Sequence, residues 1–130
     1  QLRESHIRRI LLKRRHKFTH LRDRIADTDL TSFIIVLAAE RLPVLETIEL
    51  HEQLRKANIA VDCLVVNKRA PADGGDFLRE RREQEEIHLA TLSNLLPQLP
   101  RQEILLRAND IVGLTAVESI AQLLSEQSLD

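Results

Sequence analysis

Methionine, tryptophan and tyrosine are absent from this sequence, and phenylalanine occurs only three times. Lacking aromatic platforms on which bases stack, the chain is not expected to bind nucleic acid. A single cysteine, Cys63, forbids an internal disulfide and leaves no second thiol for a zinc knuckle or redox pair. Three glycines and four prolines are too few for a linker or a collagen-like chain. The only glycine pair, Gly74-Gly75, runs into Asp76 and Phe77 rather than Lys and Ser or Thr, so it cannot cradle phosphate or hold magnesium. No apolar run approaches the roughly 18 residues of a membrane span, and no export leader is visible. A cytoplasmic protein without a direct membrane span is the expectation. The chain opens on Gln1, which predicts either a natural start upstream or a removed initiator.

The 130 residues are 43% apolar and 30% charged, a composition that suits one domain with one modest core. Charge is unevenly placed: residues 1–24 hold nine Lys or Arg against Glu4 and Asp23, and the remainder is net acidic. In that basic segment Ile7, Ile10, Leu11, Phe18, Leu21 and Ile25 recur at helical spacing. The expectation is a basic amphipathic helix over 1–26, solvated on its charged side and packed on its apolar side.

Thr31–Ala38 reads as a strand, and its near-continuous apolar run predicts burial on both faces of a parallel sheet. Pro43 suits the first turn of a following helix that reaches Lys56, with Leu42, Leu45, Ile48 and Leu54 facing inward. Asn58 ends that helix, and Ile59–Val66 forms a second buried strand, completing a strand-helix-strand unit. Residues 68–76 read as a loop, and Phe77–Leu96 as a charged helix anchored by Phe77, Ile87, Leu92 and Leu95. A short strand at 103–106, a turn at 107–110 and a helix at 113–124 follow, with a tail at 127–130 expected to fray. The predicted class is α/β, three-layered around a mostly parallel sheet occupying 27–126. Because three strands make a small parallel sheet, completion by a larger domain or by association is anticipated.

Chemistry-bearing groups are sparse. His16 and His20 lie four apart on one helix, but Glu4 and Asp23 are badly placed to complete a metal site, so none is expected. His51 and His88 are isolated, and Cys63 reads as an inert buried thiol. Asn67 follows Cys63-Leu64-Val65-Val66, at the carboxyl end of a strand where ligands of open parallel sheets gather. Its amide can donate and accept toward a purine edge, or it can stop the strand and bond its own turn. Both readings stand on spacing alone. Glu40 occupies the equivalent end of the first strand, suited to accept amides or to pair with a base.

Four ordered blocks between about residues 20 and 125 resemble the C-terminal part of the arsenical-pump-driving, or anion-transporting, ATPases, a family that includes the tail-anchored-protein targeting ATPases. They are the run from Phe33 through Glu40-Arg41-Leu42-Pro43 to Glu46-Thr47, the strand Leu64-Val65-Val66-Asn67-Lys68, the charged helix Arg79–Leu89, and Asp110-Ile111-Val112-Gly113-Leu114. The resemblance implies part of a P-loop ATPase with a Rossmann-like sheet, working as a dimer or as two fused halves. It implies that Asn67, with Lys68 beside it, contacts adenine and that the turn Arg107-Ala108-Asn109-Asp110 covers the base. ATP or ADP with magnesium would serve the full-length parent, whose Gly-rich and switch loops would precede this segment. This chain alone is expected to hold no cofactor and to be inactive. Gly75 and Leu78 stand where eukaryotic targeting members carry Cys-x-x-Cys, so zinc between subunits is not implied. The lone Cys63 likewise excludes a three-thiol metalloid site within this chain. The implied partners are the rest of the ATPase or a second copy as a homodimer. The alternative is an autonomous noncatalytic binding or dimerisation module derived from the family.

Overall fold

A computed structural model describes residues 2–127. Helix α1 spans Leu2–Ala26, β1 Ile34–Ala38, α2 Arg41–Lys56, β2 Cys63–Arg69, α3 Asp76–Leu95, β3 Arg101–Leu105 and α4 Leu114–Glu126. The sheet is parallel throughout, in the order β1-β2-β3, with Ile35 opposite Leu64 and Val65 opposite Gln102. The α/β class and the strand-helix-strand unit are therefore as the apolar runs predict.

Helix α2 ends as expected at Asn58, whose φ of 58° is tolerated by Asn better than by most side chains. The Asn58 N–H donates to the Arg55 carbonyl at 3.1 Å and the Ile59 N–H to the Leu54 carbonyl at 2.9 Å. This paired closure satisfies carbonyls that the helix end would otherwise leave open and turns the chain into β2. Gly75 and Gly113, which precede α3 and α4, have φ of 87° and 84°, conformations that a Cβ would strain.

One core forms on a single face of the sheet. Ile35 and Leu37 of β1 and Leu64 and Val66 of β2 pack with Val44 of α2 and with Leu89, Leu92 and Leu96 along α3. The inner faces of both helices differ from expectation. Val44 and Thr47 are buried in α2, whereas Leu42 and Leu45 are exposed. In α3 the buried residues are Glu85, Leu89 and Leu92, whereas Phe77, Ile87 and Leu95 are exposed. The cause lies in the stripe 85, 89, 92 and 96, which runs at helical spacing through a charged residue that apolar patterning discards.

Opposite this core, α4 packs against β3. The Gln102 Nε2 donates to the Leu124 and Gln127 carbonyls at 2.8 and 2.9 Å, placing the end of α4 over β3. The expected double burial of the first strand is corrected: Ile34 is 49% and Val36 61% exposed, while their neighbours Ile35 and Leu37 are buried. The strand is also shorter than predicted, beginning at Ile34. Helix α1 departs further, since every residue from His6 to Arg24 is exposed and, among the described residues, only Ile25 of its apolar stripe is half-buried. An Asp27 turn joins it to the body, with the Thr31 N–H donating to the Asp27 carbonyl at 2.9 Å.

Of the tail expected to fray, only Gln127 is described, and residues 128–130 lie outside the described residues. The Gln127 Oε1 accepts from the Glu103 N–H at 2.8 Å, and its Nε2 donates to the Glu103 carbonyl at 2.7 Å. One side-chain amide thus pairs with β3 as a neighbouring strand would, closing that edge.

Candidate functional site

The second strand continues past its predicted end: it includes Asn67, Lys68 and Arg69, so Asn67 lies inside the strand and the loop begins at Ala70. What sustains the extension is a break at Lys68, which has φ of 57° and falls in the shifted register between Val66 and Arg69. Such a break acts as a bulge and re-aims the next side chain. Arg69 returns to pairing opposite Leu105, and its carbonyl accepts from the Leu106 N–H at 2.8 Å.

Arg69 is buried, 1% exposed, and its guanidinium meets three carboxylates. Its Nε donates to Glu103 Oε2 at 2.8 Å, its Nη1 to Glu85 Oε2 at 2.7 Å, and its Nη2 to Glu86 Oε1. Glu85, itself buried, also accepts from the Ala70 N–H at 3.0 Å and faces Arg81 Nε at 3.4 Å. Arg81 in turn reaches Glu40 at 2.8 Å, Arg82 donates to the Ala70 carbonyl at 2.6 Å, and Arg101 lies 3.3 Å from Glu103. Four arginines therefore offset four glutamates. Burial opposes the charge on Arg69, but the bonds and charges of Glu103 and Glu86 outweigh it, and its pKa is raised above the ordinary arginine value. Sequence reading missed this cluster, although a basic residue three positions beyond an apolar run, with a helix rich in glutamate to follow, was its available signal. Glu40 is engaged by Arg81 and lies outside the lining of the cleft at Asn67.

Beside the cluster opens a cleft of about 240 Å³, lined by Asn67, Lys68, Leu105, Arg107, Asn109 and Asp110, among others. Four of the five residues singled out from sequence share this lining. Ala108 lies instead in an adjoining recess with Arg107, Asn109 and Ala116. The Asn67 Oδ1 accepts from the Lys68 N–H at 2.9 Å, so its carboxamide bonds its own turn while Nδ2 has no bond to another described residue. Arg107 is tied to α4 by donation from Nη1 to the Ser119 Oγ at 2.9 Å. The cleft is smaller than the roughly 300 Å³ at which drug-sized pockets begin.

Cys63 is buried as expected, and burial, with the Asp62 charge adding to it, pushes its thiol pKa up. Among the described residues no His, Cys, Asp or Glu cluster is arranged to hold a metal ion, and no helix is long and apolar enough to cross a membrane.

Comparison with known proteins agrees with this architecture. The family model described as anion-transporting ATPase matches residues 4–126. An ATPase ASNA1 homolog of Entamoeba dispar is 30% identical over 90 residues, covering 68% of this chain and 28% of the relative. The arsenical pump-driving ATPase of Acidiphilium multivorum is 25% identical over 119 residues, covering 89% of this chain and 20% of the relative. The chain spans between 20% and 38% of the length of these and a further similar ATPase from Aquifex aeolicus. With a parallel α/β sheet and a family match over nearly its whole length, the chain belongs to the anion-transporting ATPase family.

Proposed function

We propose that this chain is the adenine-side, C-terminal portion of an ATPase of the family, inactive by itself in hydrolysis. The observation that carries the reading is the convergence of Asn67 and Lys68 from β2 with Arg107 and Asn109 from the loop after β3 around one cleft. Asn67 offers its Nδ2 to an acceptor on the base edge and the second lone pair of its Oδ1, whose first is engaged by the Lys68 N–H, to the adenine amino group. The Lys68 stem and the 107–109 turn, with Ala108 beside it, enclose the ring, and Arg107 stays in place through Ser119. Phosphates and magnesium need donors that this segment lacks, since its three glycines form no phosphate loop. Those donors belong to the rest of the ATPase, and the assembly works in the cytoplasm with a second copy or as fused halves. The bare apolar face at Ile34 and Val36 fits a covering layer supplied by further chain.

The test is the intact mass of the native protein, captured with antibodies against residues 77–96. A species far above 14.9 kDa that yields a Gly-rich Lys-Ser/Thr peptide supports the ATPase reading. A native species of 14.9 kDa overturns it in favour of an autonomous noncatalytic module.

A further inference from the structure

We infer that Arg69 is the positioning residue of the cleft, setting Asn67 and the loop after β3 at a fixed separation; this rests on the base reading above. Simple strand alternation would place Arg69 on the same face as Asn67. The left-handed conformation of Lys68 interrupts that alternation, and Arg69 turns to the face that α3 covers. There its side chain joins α3, through Glu85 and Glu86, to β3, through Glu103. Its main chain receives the Leu106 N–H, the first residue of the loop that lines the opposite side of the cleft.

One residue therefore ties both walls of the cleft to the core helix. Asn67 is two residues away, held between the paired strand before it and the anchored Arg69 after it. Lysine in this place would keep the charge but supply no planar fork able to serve three carboxylates at once. An apolar residue of similar size would fill the volume and abandon the glutamates. The guanidinium is thus matched to joining elements rather than to filling space, and it touches no ligand itself.

The experiment uses the protein as its gene encodes it, with Arg69→Lys, with Arg69→Met combined with Glu85→Gln, and with Asn67→Ala. The paired substitution removes the fork together with one buried countercharge, so a fold lost in one variant leaves the other to decide. The readouts are hydrogen exchange at the Leu106 amide, the Asn67 side-chain amide resonance, and the dissociation constants of ADP and GDP. The expected result is faster exchange at Leu106, a shifted Asn67 resonance and ADP affinity lower by about tenfold, the scale on which orienting partners act. The preference for ADP over GDP falls to that of Asn67→Ala, and combining Arg69→Lys with Asn67→Ala lowers it no further. If Asn67→Ala abolishes the preference while both Arg69 variants retain it, Arg69 has no positioning role and the base reading stands. If the unsubstituted protein shows no preference for ADP, the base reading falls and this inference falls with it.

Discussion

The two faces of the sheet carry similar side chains and have different fates. On the α3 side Ile35, Leu37, Leu64 and Val66 are sealed by two helices. On the α4 side Cys63 and Val65 are covered, but Ile34 and Val36 at the far strand lie open, while α4 packs against β3. Residues in β1 are apolar on both faces, which is how strands read when both are buried. The difference shows that burial is not a property of a side chain but of what the rest of the chain brings to it. Helix α1 makes the same point in a second element: its apolar residues have a helical period, yet Ile7, Ile10, Leu11, Phe18 and Leu21 stay exposed among the described residues.

The largest effect should come from the charged part of the sealed face. Arg69→Met leaves Glu85 buried without its main partner and is expected to destabilise by about 3–5 kcal/mol in urea unfolding. A loss near zero would mean that the cluster contributes no more than surface pairs do. Next, Leu89→Ala on α3 should cost about 2–5 kcal/mol through lost burial and a residual cavity. Val36→Thr on the open face should change stability by no more than about 0.5 kcal/mol. Comparable losses at the two positions would show that the open face is covered in solution.

Gln127→Ala removes both side-chain bonds to Glu103 and should cost about 1–2 kcal/mol, with faster exchange of the Glu103 amide as the local signature. Protection unchanged there would mean that another group closes the β3 edge. The smallest effect lies outside the comparison, on the solvated side of α2. The Arg55 bond, with help from the Arg55 and Lys56 charges, holds the Glu52 carboxyl at about 2 against an ordinary 4.5. Between those values the unfolded chain binds more protons, so this stabilisation is present above pH 4.5 and lost as pH falls toward 2. Because the pair is exposed, Glu52→Gln should flatten the acid limb of Tm against pH only slightly.

Much of the fold was legible because its signals are local. Apolar runs at 34–38 and 63–66 announce parallel strands, and Asn58 marks the helix end that turns one toward the other. The candidate cleft was legible in part: Asn67, Lys68, Arg107 and Asn109 meet, but Ala108 lines a neighbouring recess. Arg69 was not legible, since its destination depends on a left-handed Lys68 and on glutamates 16 to 34 residues away. Nor was the inner stripe of α3, where a carboxylate occupies a core position only because a buried guanidinium receives it.

The sequence by itself determined the order and type of the elements, the parallel pairing and the family blocks, because periodicity, caps and apolar runs act over a few residues. Only the tertiary structure decided which apolar faces are covered, where Arg69 points and how Gln127 closes an edge. Each of those outcomes requires groups distant in sequence to meet, and the free energy of burying a charge or an amide depends on the partner that is there to receive it.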